Sequence, residues 1–196
     1  MNKDLSVGAL MGLASGLLIA GIGVLLELAD WSDALWVNYW MPGGVLGAAI
    51  CFGAWRRGWN AERKGLRLLI VIAATILGWR LCFLFFISSW EVVSLALMGA
   101  VGACVTAVGV ILAWRIRAWW IFLASFTLAG AAGGVVDFVL INSLPEVAKV
   151  AVWHGFWESA AIFPVWQAIT LACALAVGGP NSPDRAFPTP KTGKRR

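Results

Sequence analysis

Residues 92–114 read VVSLALMGAVGACVTAVGVILAW, twenty-three residues without a charge or a proline. A helix rises 1.5 Å per residue, so this one would be about 34 Å long. The hydrocarbon core of a bilayer is about 30 Å thick. The strands of a membrane barrel alternate apolar with polar residues over about ten positions, and this run does not alternate. It predicts a membrane-spanning α-helix. Five more apolar runs follow the same reading. With 92–114 they give six spans, at about 5–26, 37–55, 68–88, 92–114, 118–141 and 150–177. The fold class expected is all-α, a six-helix transmembrane domain over residues 1–177.

The composition agrees. The chain has 196 residues, is 61% hydrophobic and 13% charged, and its mean hydropathy is +0.84. Ordinary water-facing domains are about half apolar and a quarter charged. No connection between the apolar runs is long enough to hold a second domain. The first run, 5–26, is too long for a secretory signal, and only Glu27-Leu28-Ala29-Asp30 follows it, with no small-x-small cleavage site. Pro42-Gly43-Gly44 predicts an irregular or late first turn in the second helix. Residues 178–196, rich in Pro, Gly and charge, read as a disordered basic tail.

The net charge is +5. Its distribution points to topology and away from nucleic acid. Lys3, Arg56, Arg57, Arg63, Lys64, Arg67, Arg115, Arg117, Arg185, Lys191, Lys194, Arg195 and Arg196 would share one side of the membrane. They are thirteen of the fifteen Lys and Arg. The other side keeps Lys149 with Glu27, Asp30, Asp33, Glu91 and Glu146. Loops rich in Lys and Arg face the cytoplasm. The expectation is a multi-pass protein of the cell (inner) membrane with both termini cytoplasmic. Tryptophans would mark the interfaces, with Trp31, Trp36, Trp40, Trp90 and Trp153 outside, and Trp55, Trp59, Trp114, Trp119 and Trp120 inside.

Gly8, Gly12 and Gly16 recur every fourth residue and make a stripe that lets another backbone approach closely. The neighbour could be a helix of the same chain, a partner protein or a second copy. Gly99, Gly102 and Gly109, and Gly130, Gly133 and Gly134, read similarly. Cys51, Cys82, Cys104 and Cys173 fall in four different runs and form no C-x-x-C, so they read as packing residues.

Four ionisable residues lie within the spans: Arg80, Asp137, His154 and Glu158. Each costs about 2.5–3.5 kcal/mol at the membrane centre unless it is paired or has a task. His154 and Glu158 are four apart and share a helix face. Asp137 shares a face with Gly130, Gly133 and Gly134. Counting from the loops puts all four in the outer half of the membrane, Arg80 level with Glu158 and Asp137 level with His154. Pro164 would kink the last helix and free the carbonyl of Ala160. One reading is an outward-facing polar pocket lined by these four, with Trp157 or Trp79 as an aromatic wall, in which Arg80 holds an anionic group and His154 and Glu158 carry a proton. The other is two internal ion pairs, Arg80 with Glu158 and Asp137 with His154. Neither needs a metal or a cofactor. No serine-in-glycine turn or H-E-x-x-H points to catalysis.

The stretch His154-Gly155-Phe156-Trp157-Glu158-Ser159-Ala160-Ala161-Ile162 resembles the His-Gly-x-x-Glu-x-x-Ala-Ile signature of the stage II sporulation protein M-like membrane family. It covers nine of the 196 residues. Downstream, Phe163-Pro164-Val165-Trp166 departs from that family's small residues. The resemblance implies a role for His154 and Glu158. The plan of six short-looped helices is also similar to that of the substrate-capture subunits of vitamin importers. Two functions are expected ahead of a third, an intramembrane enzyme using His154 and Glu158. The first is a transport or permeation component that binds a small polar or anionic solute. The second is a non-catalytic membrane subunit whose charges are structural and whose glycine faces dock a partner.

Overall fold

The structure is a computed structural model and describes residues 3–28, 35–59, 63–82, 92–116, 118–143 and 157–177. Among these residues the regular elements are all helices: α1 (Lys3–Leu28), α2 (Leu35–Arg56), α3 (Lys64–Cys82), α4 (Val92–Trp114), α5 (Trp119–Asn142) and α6 (Trp157–Val177). Four of them hold stretches long and apolar enough to cross a bilayer, namely Leu5–Ile22, Lys64–Cys82, Val92–Trp114 and Trp119–Leu140. Helices of this kind satisfy every backbone group internally, which lipid demands. The chain is an all-α, multi-pass membrane protein.

Each helix packs on its neighbours in sequence, and α6 returns to α1 to close a ring. Glycines set the registers, because backbones meet where side chains are missing. Gly8 and Gly12 of α1 lie against Ala172 and Ala168 of α6. Gly43 and Gly47 of α2 meet Ile76 and Ile72 of α3. Gly78 of α3 faces Gly102 of α4, and Gly99 and Gly134 bracket the α4–α5 contact against Gly130 and Leu95. A β-carbon at Gly8 would stand 2.6 Å from the Cα of Ala172, and one at Gly43 2.6 Å from the Cα of Ile76. No real side chain tolerates either distance.

The interior is small and partly polar, while the exterior is large and apolar. Ala54, Ala103, Ala107 and Ala174 are buried with stacked Phe122 and Phe126, whose rings are 5.6 Å apart. Ser15, Thr75, Thr106, Gln167 and Thr170 are buried too. Leu10, Leu17, Leu25, Leu69, Leu77, Leu112 and Leu128 point outward. Lipid supplies no hydrophobic drive to hide leucine, so close packing of small residues holds such a bundle together. The hydroxyls of Thr75 and Thr170 use their own helices. Thr75 donates to the carbonyl of Val71 or Ile72, both at 2.9 Å, and Thr170 to that of Trp166 at 2.8 Å.

Several boundaries differ from those read off the sequence. α3 begins at Lys64 instead of 68, because basic residues can extend a helix past the apolar core. Residues 83–88 and 150–156 of the expected third and sixth spans lie outside the described residues, as does the tail 178–196. The late first turn expected of α2 is not found. The helix starts at Leu35 and runs through Pro42. Proline removes one hydrogen bond, and the tight seats of Gly43 and Gly47 on α3 hold the backbone there.

Candidate functional site

Asp137 is placed by the α4–α5–α6 seam. Gly134 presses on the backbone of Leu95 in α4, and Gly133 lies against the ring of Trp166 in α6. One turn further along α5, on the same face, comes Asp137. Its side chain is 1% exposed, and neither carboxylate oxygen has a hydrogen-bond partner among the described residues. Burying a charge unpaired is the most costly act available to a side chain. The seam also holds an unmatched donor. Trp166 fills the space that Gly99, Gly102 and Gly133 leave open, and its buried indole N–H has no acceptor among the described residues. An acceptor and a donor without partners among the described residues therefore share one glycine-lined seam.

Arg80 lies in the last turn of α3. It is exposed, with its guanidinium 5.7 Å from the centre of the Trp40 ring. Trp40, read from the sequence as an interface marker, provides an aromatic face for this cation. Such a contact is worth about 2 kcal/mol where water is excluded. Trp79 is half-buried, and its carbonyl accepts the Cys82 thiol at 2.8 Å. Arg80 and Trp79 are both on α3, which packs between α2 and α4, whereas Asp137 is on α5.

Register also corrects the depths. The Trp166 indole meets Gly102, which faces Gly78 near Arg80. Glu158 is eight residues from Trp166 on α6, about 12 Å along the axis. The equal depth on which an Arg80–Glu158 pair was expected is therefore absent. The count from loop ends failed because it assumed that helix ends are level. Glu158 stands nearer to Asp137, about one turn beyond it, since Gly133 pairs with Trp166. Trp157 is the first residue of α6. The side chains of Trp157 and Glu158 lie outside the described residues, and so does His154.

The α1 stripe meets α6. Gly8, Gly12 and Gly16 are buried, and Gly8 and Gly12 seat the backbone of α6. The sequence reading missed what accompanies them. The Ser15 hydroxyl lies 2.6 Å from Oε1 of Gln167 and 2.9 Å from the carbonyl of Gly12, and Gln167 is 1% exposed. Ser15 sits in phase with the glycines at seven residues from Gly8, which was the signal available. The four cysteines are free, and among the described residues no three His, Cys, Asp or Glu gather as metal ligands.

Fold and site together define a class, a polytopic helical membrane protein with a buried carboxylate that has no partner among the described residues, in a small-residue seam. Comparison with models of protein families, with curated proteins and with solved structures finds no match to this chain.

Proposed function

We propose that this chain is a transport or permeation component of a cell membrane, with six spans and both termini cytoplasmic, that binds a small polar solute in the α4–α5–α6 seam. The observation that carries this reading is Asp137, buried in the same seam as the Trp166 N–H, with neither its two acceptors nor that donor matched among the described residues. A solute with one donor and one acceptor would answer both groups. The resemblance of residues 154–162 to the sporulation-protein signature supports a role for His154 and Glu158. The two acceptor oxygens of Asp137 call for a donor, which favours a neutral or cationic group there over the anionic one first expected. Six spans are supported by α2 and α6 being 22 and 21 residues long, about 33 and 32 Å, and by their places in the same ring. The cytoplasmic assignment rests on the clustering of basic residues.

Native mass spectrometry on the full chain, extracted gently from its own membrane, tests the proposal. A small molecule retained by the wild type and lost in Asp137→Asn is the expected result. An empty chain bound stoichiometrically to another protein would overturn it in favour of the non-catalytic subunit.

A further inference from the structure

Pro164 lies inside α6. Proline has no backbone N–H, so the carbonyl of Ala160 loses the donor that an unbroken helix would give it. That oxygen belongs to the inner side of α6. Ala160 precedes Gln167 by seven residues and shares its face, and Gln167 is 1% exposed.

The crossing of α5 and α6 brings this carbonyl to the level of Asp137. The two helices run in opposite directions. The last turn of α6, at Leu175, meets Gly53 near the basic end of α2, and α5 starts from that end, just after α4. Gly133 of α5 sits against Trp166 of α6. From there Asp137 is four residues along α5, about 6 Å, and Ala160 is six residues back along α6, about 9 Å. Helix carbonyls point toward the C-terminus, so the Ala160 oxygen is directed back toward the crossing. It and Asp137 stand within about one turn of each other in height. Asp137 also lies between the contacts of Gly134 with Leu95 and of Gly133 with Trp166, and so between α4 and α6.

Three oxygens from two helices thus share one level. Two are the carboxylate oxygens of Asp137, which is 1% exposed and has no partner among the described residues. Oxygens of this kind are ligands for hard cations. One carboxylate balances one positive charge, whereas calcium gathers about six to eight oxygens. Carbonyls released where a membrane helix is interrupted hold monovalent cations in the same way.

We propose that Asp137 and the Ala160 carbonyl bind a monovalent cation. The proposal rests on the seam being the solute site. A cation offers nothing to an N–H, so the Trp166 indole keeps its donor for an acceptor on the solute. The cation is either a free alkali-metal ion or a protonated amine of the solute itself.

The test melts the full chain in detergent in sodium, potassium, methylammonium or N-methylglucamine chloride at one ionic strength, the last cation being too bulky for the seam. The expected result is a saturable rise of about 3 °C or more over N-methylglucamine in the wild type, and none in Asp137→Asn. In Pro164→Ala, where alanine returns an N–H to the Ala160 carbonyl, the half-saturating concentration should rise about tenfold. A response to sodium or potassium alone assigns a free metal ion, and one to methylammonium alone assigns the amine of the solute. Equal melting of the wild type in all four salts would overturn the proposal, and is the result if His154 already neutralises Asp137. A response that survives in Asp137→Asn would overturn it too, as would an unchanged response in Pro164→Ala, since the carbonyl would then not be a ligand. A small molecule retained in native mass spectrometry and lost in Asp137→Asn, without any cation response, would fail the cation and leave the solute seam standing.

Discussion

A carboxylate leaves water at a cost that only a counter-charge, hydrogen bonds or a bound group can offset. Asp137 has neither of the first two among the described residues, so its surroundings predict how it answers to substitution. Breaking a buried ion pair costs about 3–5 kcal/mol. Removing an unmatched charge costs nothing and relieves the seam. Asp137→Asn keeps the shape, and its melting temperature in detergent is expected to equal or exceed that of the wild type. A loss of about 2 kcal/mol or more would show that a partner such as His154 holds the carboxylate. At this scale the sequence was legible where a pattern surrounded the residue. Asp137 follows Gly133 and Gly134 by one turn, and that spacing alone aimed it into the bundle. Nothing comparable surrounded Arg80. Its Trp40 partner is forty residues away on another helix, and no local spacing could reveal it.

The helices are held by faces, and their glycines are not equivalent. A β-carbon on Gly12 would lie 2.5 Å from the Cα of Ala168 and closer still to the carbonyl oxygen of Gln167, whereas one on Gly21 meets nothing within 4 Å. Gly12→Ala is expected to cost about 1–3 kcal/mol, the usual toll of overpacking. Gly21→Ala should leave melting unchanged or raise it slightly, since alanine is the better helix former. Equal effects would break the α1–α6 registry. The Ser15–Gln167 contact adds a polar clamp to that interface. Ser15→Ala strands a side-chain amide that is 1% exposed and should cost about 1–3 kcal/mol, and Ser15→Ala/Gln167→Leu should recover most of it. A double-mutant cycle by thermal melting reads the coupling, and simple additivity would mean that no clamp exists. The glycine stripe made the packing face of α1 legible from spacing alone. Its partner was not legible, because α6 is some 150 residues away and many helices could have met that stripe.

At the scale of the molecule, uncharged runs such as 92–114 gave the elements away, because in lipid almost nothing but a helix can satisfy twenty consecutive backbone groups. How the elements close is a different kind of information. The ring depends on which side chains are absent at each crossing, and the relative heights depend on registers that loop counting cannot supply. Arg80 and Glu158 show this failure directly. The ring does gather the basic residues. Arg63 and Arg67 at the start of α3 share a cavity with Arg115 at the end of α4, and Lys64 lies over Trp55 near the end of α2, 5.9 Å from its centre. If that end faces the cytoplasm, as its charge proposes, then two exposed positions at opposite ends must differ in access. Lys64 and Ser143 are both exposed and lie at opposite ends of the bundle. With the four native cysteines replaced, Lys64→Cys should react with a membrane-impermeant maleimide only in inside-out vesicles, and Ser143→Cys only in intact cells. The reverse pattern would keep the bundle and invert it. Labelling of both from one side would end the alternating six-span topology. Either failure would also take the Asp137 seam off the outer face, and a solute would then have to enter it from the cytoplasm.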